Sequence, residues 1–128
     1  MDVIGIGIDI VEVDRIEKIV ARDKGDVLHD LFTPVELEYC LQKKRTASVH
    51  LAGRFAAKEA YIKALGGNHG LHWTDVEVVN DSDGRPMLNV LNQAKEVAYA
   101  HQIQSQFLSI AHERNYAIAM VILCGNSG

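Results

Sequence analysis

The run Leu51-Ala52-Gly53-Arg54-Phe55-Ala56-Ala57-Lys58-Glu59-Ala60-Tyr61-Ile62-Lys63-Ala64-Leu65 organises everything around it. A helix fits Val49 to Leu65, and Gly66-Gly67 stops it. At about 100° per residue, Ala56, Ala57, Ala60 and Ala64 form a small-residue face, and Leu51, Phe55 and Ile62 a bulky one. Glu59 and Lys63 fall in a narrow polar gap between the two, while Arg54 and Lys58 lie on a separate edge. A solvated helix usually carries one broad polar face. Two readings stand for Glu59 and Lys63. One is an i,i+4 salt bridge contributing about 0.2–0.5 kcal/mol. The other is a half-buried carboxylate that binds a cation, beside a lysine ready for phosphate.

A cation site of this kind needs a second carboxylate, and the N-terminus offers one. Val3-Ile4-Gly5-Ile6-Gly7-Ile8-Asp9-Ile10 alternates as a strand, with the isoleucines on one face and Gly5, Gly7 and Asp9 on the other. Asp9 ends that strand on a face bare enough for a ligand or another element to approach closely. A strand-end turn or a helix cap is the plain alternative for Asp9. Gly5-Ile6-Gly7 is not a dinucleotide fingerprint, because Ile10 stands where the third glycine belongs.

The rest of the chain mixes strands and helices. Residues 12–22 read as a helix with Val13, Ile16 and Val20 on one side and Arg15, Lys18 and Arg22 on the other, extended by Lys24. Thr33-Pro34-Val35-Glu36 is a capping box that starts a helix from Pro34 to about Lys43. Strands are predicted at Asp75 to Asn80 and Pro86 to Val90 around an Asp83-Gly84 turn, then a helix over 92–102. Phe107 to His112 and Tyr116 to Leu123 form a closing hairpin around Arg114-Asn115. Without a strict β-α rhythm the class is α+β, an antiparallel sheet on a long central helix, in one domain over 1–128.

Composition narrows the function. The 128 residues are 48% apolar with a net charge of −4, which disfavours a general nucleic-acid binder. The longest apolar run, Tyr116 to Cys124, is far short of the ~20 residues that span a bilayer. Tyr116 to Leu123 is apolar on both faces, so it reads as a strand buried on both sides, by a helix or by neighbouring subunits; a trimer core and a monomer's central strand read alike. No secretory signal is expected at the N-terminus, and Cys40 and Cys124 form no C-x-x-C pair. These features point to a cytoplasmic protein with no membrane partner. The His69-Gly70-Leu71-His72 stretch has no zinc-ligand spacing around it.

Three stretches together resemble one family, the holo-acyl-carrier-protein synthases, which are short 4′-phosphopantetheinyl transferases. They are Gly5-Ile6-Gly7-Ile8-Asp9-Ile10-Val11-Glu12, Arg54-Phe55-Ala56-Ala57-Lys58-Glu59-Ala60 with Lys63-Ala64-Leu65-Gly66, and Ser109-Ile110-Ala111-His112-Glu113 with Tyr116-Ala117. Ala111 stands where many members carry serine or threonine. The resemblance implies magnesium on Asp9 and Glu59, Lys63 on coenzyme A phosphates, and a homotrimer with active sites between subunits. It also implies nucleotide contacts from Arg54, from Lys44 and Arg45 before it, from the Gly84-Arg85-Pro86 turn near the adenine, and from His112 as a substrate contact. The Gly66-to-Gly70 loop can bring backbone N–H groups to a ligand. It follows a helix C-terminus, so lysine and metal must supply the attraction for anions. Arg15, Lys18 and Arg22 become a dock for an acidic acyl carrier protein.

The implied reaction is attack of a carrier serine hydroxyl on the β-phosphorus of coenzyme A, with 3′,5′-ADP leaving, as a step of fatty acid biosynthesis. Such chemistry is mostly positioning and charge neutralisation. Two other classes use parts of the same pattern. A metal-dependent nucleotide or pyrophosphate hydrolase would admit water in place of the serine. A non-catalytic coenzyme A or carrier-protein binding module would not need both carboxylates.

Overall fold

A computed structural model describes residues 1–23 and 25–126; Lys24 lies outside the described residues. The elements are β1 (Asp2–Glu12), α1 (Val13–Arg22), α2 (Asp26–Leu31), α3 (Pro34–Leu41), α4 (Ala47–Leu65), β2 (Val76–Asn80), β3 (Pro86–Val90), α5 (Asn92–Ala100), β4 (Ile103–His112) and β5 (Tyr116–Gly125). One antiparallel sheet has the order β1-β5-β4, and β2 and β3 form a separate hairpin. The α+β class is as the patterning implies. Among the described residues no helix is long and apolar enough to cross a membrane.

Helix α4 crosses the inner face of the three-stranded sheet, and small residues set how closely. A Cβ at Gly5 or Gly7 would collide with the carbonyl oxygen of Ala64 or Ala60. Farther back along the helix, Gly53 meets Ile110 of β4. The C-terminal half of α4 therefore lies over β1 and its N-terminal half over β4, the two opposite edges of the sheet. Ala56, Ala57, Ala60 and Ala64 are all buried against this face, together with Ala117, Ala119, Val121 and Leu123 of β5. The glycine face of β1 is thus the core face. Its isoleucines point the other way: Ile6, Ile8 and Ile10 are 61, 54 and 61% exposed. They align across the sheet with Ile122, Met120 and Ile118, and with Phe107 of β4 beyond. Exposed apolar surface of this extent on a sheet marks an interface.

Three expectations need correction. The first strand continues past Asp9 to Glu12, so Asp9 is an in-strand residue rather than a strand end. A six-residue helix, α2, lies where none was expected; its N-cap is Gly25, and Asp23 accepts the backbone N–H groups of Gly25, Val27 and Leu28 instead. Lys58 does share an edge of α4 with Arg54, but that edge is buried. The lysine is fully buried, 2.7 Å from Glu36 of α3, and donates to the carbonyls of Trp73 and Val76 at 2.9 and 2.5 Å. Burial pulls its pKa down, while the Glu36 carboxylate pulls the other way. Glu36 also closes the expected capping box with Thr33 and accepts from the Val78 N–H, so one buried carboxylate ties α3, α4 and β2 together.

Candidate active site

The predicted site residues separate into two groups on opposite sides of α4. The first lies at the β1 edge. Asp9 projects from the inner face of β1 beside Glu59, and Lys63 Nζ reaches over to Asp9 Oδ1 at 2.8 Å and to the Ile8 carbonyl at 3.1 Å. Lys63 therefore pairs across elements, with Asp9, and not along its own helix with Glu59 as the local salt-bridge reading had it. Burial raises the Glu59 pKa, and the Asp9 carboxylate raises it further; Lys63 and Arg15 oppose them. Two carboxylates that repel each other at the edge of a core are a suitable seat for a dication. Magnesium needs only one or two protein carboxylates when water and phosphate fill the remaining positions. Gly66, in the left-handed conformation, caps α4 just beyond Lys63.

The second group lies at the β4 edge, around a cavity of about 170 Å³ lined by Arg54, Asn80, Gly84, Pro86 and His112 among others. Arg54 is 4% exposed. Its Nη2 donates to Asn80 Oδ1 at 2.5 Å, its guanidinium lies over the Tyr39 ring at 4.4 Å, and its Nε has no hydrogen-bond partner among the described residues. Asn80 in turn donates to the Gly84 carbonyl at 3.0 Å, which fixes the turn before β3. Lys44 and Arg45 are exposed in the short turn Lys44–Thr46 that leads into α4, outside the cavity lining.

Helical geometry explains the separation. Arg54 and Glu59 are five residues apart, which places them about 140° apart around the axis. Asp9 and His112 stand on the two outer strands of the sheet, with β5 between them.

Arg15, Lys18 and Arg22 are exposed on α1 and line a broad groove of about 670 Å³ together with Ile19, Val27 and the acidic Glu12, Asp14 and Asp23. Lys18 makes a surface ion pair with Asp14 at 3.1 Å. Arg15, from the lining of this groove, also helps to hold the Glu59 pKa down. Three residues of the arrangement escaped the sequence reading: Tyr39, Asn80 and His50. Only His50 left a signal, four residues before Arg54 and so on the same helical face.

Residues 5–121 match the model of the 4′-phosphopantetheinyl transferase superfamily. The chain belongs to that superfamily. As a member of it, the chain is similar to the holo-[acyl-carrier-protein] synthase of Geobacter sp. (strain M21), with 44% identity over 121 residues, 93% of this chain and 96% of that protein. Its fold is similar to that of the Helicobacter pylori holo-[acyl-carrier-protein] synthase in complex with coenzyme A, with TM-score 0.81, 37% identity and coverage of 93% and 99% of the two chains. The Plasmodium yoelii acyl carrier protein synthase with ADP bound superposes with TM-score 0.84 at 34% identity, covering 98% and 97%. Transfer of phosphopantetheine from coenzyme A to a carrier protein needs a place for a nucleotide and a place for a protein. The Arg54 cavity and the groove of α1, with Arg15, Lys18 and Arg22 among its lining, are the features of this chain that suit them.

Proposed function

We propose that this chain transfers the 4′-phosphopantetheine group of coenzyme A to a serine hydroxyl of an apo acyl carrier protein, releasing 3′,5′-ADP. It does so with magnesium, in the cytoplasm, for fatty acid biosynthesis, as a homotrimer with active sites between subunits. The observation that carries this reading is the placement of the two site groups at opposite edges of one sheet whose outer face is apolar. A cyclic assembly uses a heterologous interface, in which one edge of a subunit meets the other edge of the next. Such an interface brings the carboxylate pair of one subunit to the Arg54 cavity of its neighbour and covers the row of Ile6, Ile8, Ile10, Ile118 and Met120.

Within the joined site each residue has a task. Asp9 and Glu59 hold the magnesium ion, which when bound neutralises charge on the pyrophosphate oxygens. Lys63 adds positive charge on the same side and, through its bond to Asp9, keeps that carboxylate turned toward Glu59. Arg54 and His112 bind the nucleotide that leaves. Arg15, Lys18 and Arg22 attract and orient the acidic carrier, so that its serine meets the β-phosphorus in line. The serine oxygen forms the new O–P bond, and the bond from that phosphorus to the bridging oxygen of 3′,5′-ADP breaks.

Intact-mass spectrometry tests the reading. Apo carrier incubated with the protein, coenzyme A and magnesium should gain one phosphopantetheine, and chelation, Asp9→Asn or Glu59→Gln should abolish the gain. Hydrolysis of coenzyme A with an unchanged carrier mass would replace the transferase by a hydrolase.

A further inference from the structure

His50 lines the Arg54 cavity, and the mechanism above gives it no task. It stands on α4 one turn before Arg54. Its ring lies 5.6 Å from that of His112 on β4 and 6.0 Å from that of Tyr39 on α3. The groups that face it are Tyr39 from α3, Lys43 from the turn after α3, Arg54 from its own helix and His112 from β4. None is a carboxylate. The partners of Arg54 among the described residues are a neutral amide and an aromatic ring, and its buried Nε is unsatisfied. A buried guanidinium is costly without a counter-charge. Among the described residues no carboxylate pairs with it, and a ligand phosphate in the cavity would supply that counter-charge.

Building on the transferase reading, we propose that His50 is a proton-carrying ligand of the nucleotide. With His112 and Arg54 it closes on a phosphate of the 3′,5′-ADP portion, and binding takes up a proton at His50.

The electrostatics agree in sign. In the free protein, burial first and then the positive fields of His112, Lys43 and Arg54 push the His50 imidazole below its ordinary pKa, so it is neutral near pH 7. A phosphate dianion set among these groups favours the imidazolium and raises the pKa in the complex. The extra affinity is present in full below the free-state pKa. It is lost as pH rises through the pKa of the complex. By the same linkage, nucleotide binding and protonation of His50 strengthen each other equally.

The test is calorimetric titration of 3′,5′-ADP into the wild-type protein, His50→Gln and His50→Phe, in two buffers of different ionisation enthalpy near pH 7. The wild type should take up roughly half a proton more than either variant, and its Kd should weaken about three- to ten-fold more between about pH 6.5 and 8. Titration of the nucleotide's own phosphates is common to all three proteins and cancels in the comparison. Equal proton uptake and parallel pH profiles in all three, with the nucleotide still bound, would overturn the inference. Carrier modification by the wild type separates the two levels. If the carrier gains its arm while proton uptake ignores His50, the His50 assignment alone falls; if the carrier gains nothing, the transferase reading falls.

Discussion

Gly7 of β1 lies so close to Ala60 of α4 that a Cβ on it would overlap the Ala60 carbonyl oxygen. This contact sets the spacing between Asp9, two residues along the strand, and Glu59, the residue before Ala60. Gly7→Ala should therefore act twice. The overlap is with backbone, which cannot swing aside, so the cost should reach the upper end of the overpacking range, about 2–3 kcal/mol. Urea denaturation reads that loss. Transfer activity measured well below the unfolding midpoint should fall as well, because the strand carries Asp9 away from Glu59.

Metal binding should appear as stability. The ionised form of Glu59 is disfavoured in the folded state by burial and by Asp9, so its folded pKa is raised. A carboxylate with a raised folded pKa lowers stability as pH rises from its unfolded value through the folded one, and carries the full cost above it. Glu59→Gln should accordingly raise Tm in chelator at neutral pH. Magnesium should raise the wild-type Tm and leave that of Glu59→Gln unchanged. Thermal melts with and without magnesium check both signs.

Lys58 and Glu36 form a buried pair, and losing one partner strands the other. Lys58→Met alone should destabilise the protein by about 3–5 kcal/mol. Adding Glu36→Gln should recover part of this: the uncompensated charge is gone, but the single amide oxygen can serve only one of the two N–H groups, Thr33 on Oε1 or Val78 on Oε2, and the amide NH2 faces the other. A double-mutant cycle in denaturant measures the coupling.

How much of this was legible in the sequence follows from what a periodic pattern can report. Alternation in β1 and the helical wheel of α4 define complementary faces, glycine against alanine, and that is enough to bring Asp9 to Glu59. The closing hairpin and the Thr33–Glu36 capping box are equally local. A wheel gives a direction and not a neighbour. It put Lys58 on a polar edge because the Glu36 carboxylate and the Val76 carbonyl that make burial tolerable arrive from distant segments. Asn80 and Tyr39 escaped for the same reason, since they meet Arg54 only through tertiary packing. Helix α2 had no recognisable cap, because its first N–H groups are held from Asp23, outside the usual N-cap position.

Carrier docking should be separable from nucleotide binding. Lys18 and Arg22 line the groove of α1 and stand apart from the Arg54 cavity. Reversing both to glutamate should raise the KM for the carrier about ten-fold or more while the KM for coenzyme A stays near its original value. The wild-type rate at low carrier concentration should fall with added salt, and the variant should lose most of that dependence. Steady-state kinetics over an ionic-strength series measures both effects.

The proposed active site is completed by two subunits, and mixing inactive variants tests that arrangement. Asp9→Asn removes a carboxylate from the β1 edge, and Arg54→Ala empties the cavity at the β4 edge. Each alone should give little or no carrier modification by intact mass. Unfolded and refolded together in equal amounts, they should form mixed trimers in which about a quarter of the interfaces pair two intact edges, and activity should return to about that fraction of wild type. Mixtures no more active than the separate variants, with trimers confirmed by light scattering, would contradict a site shared between subunits.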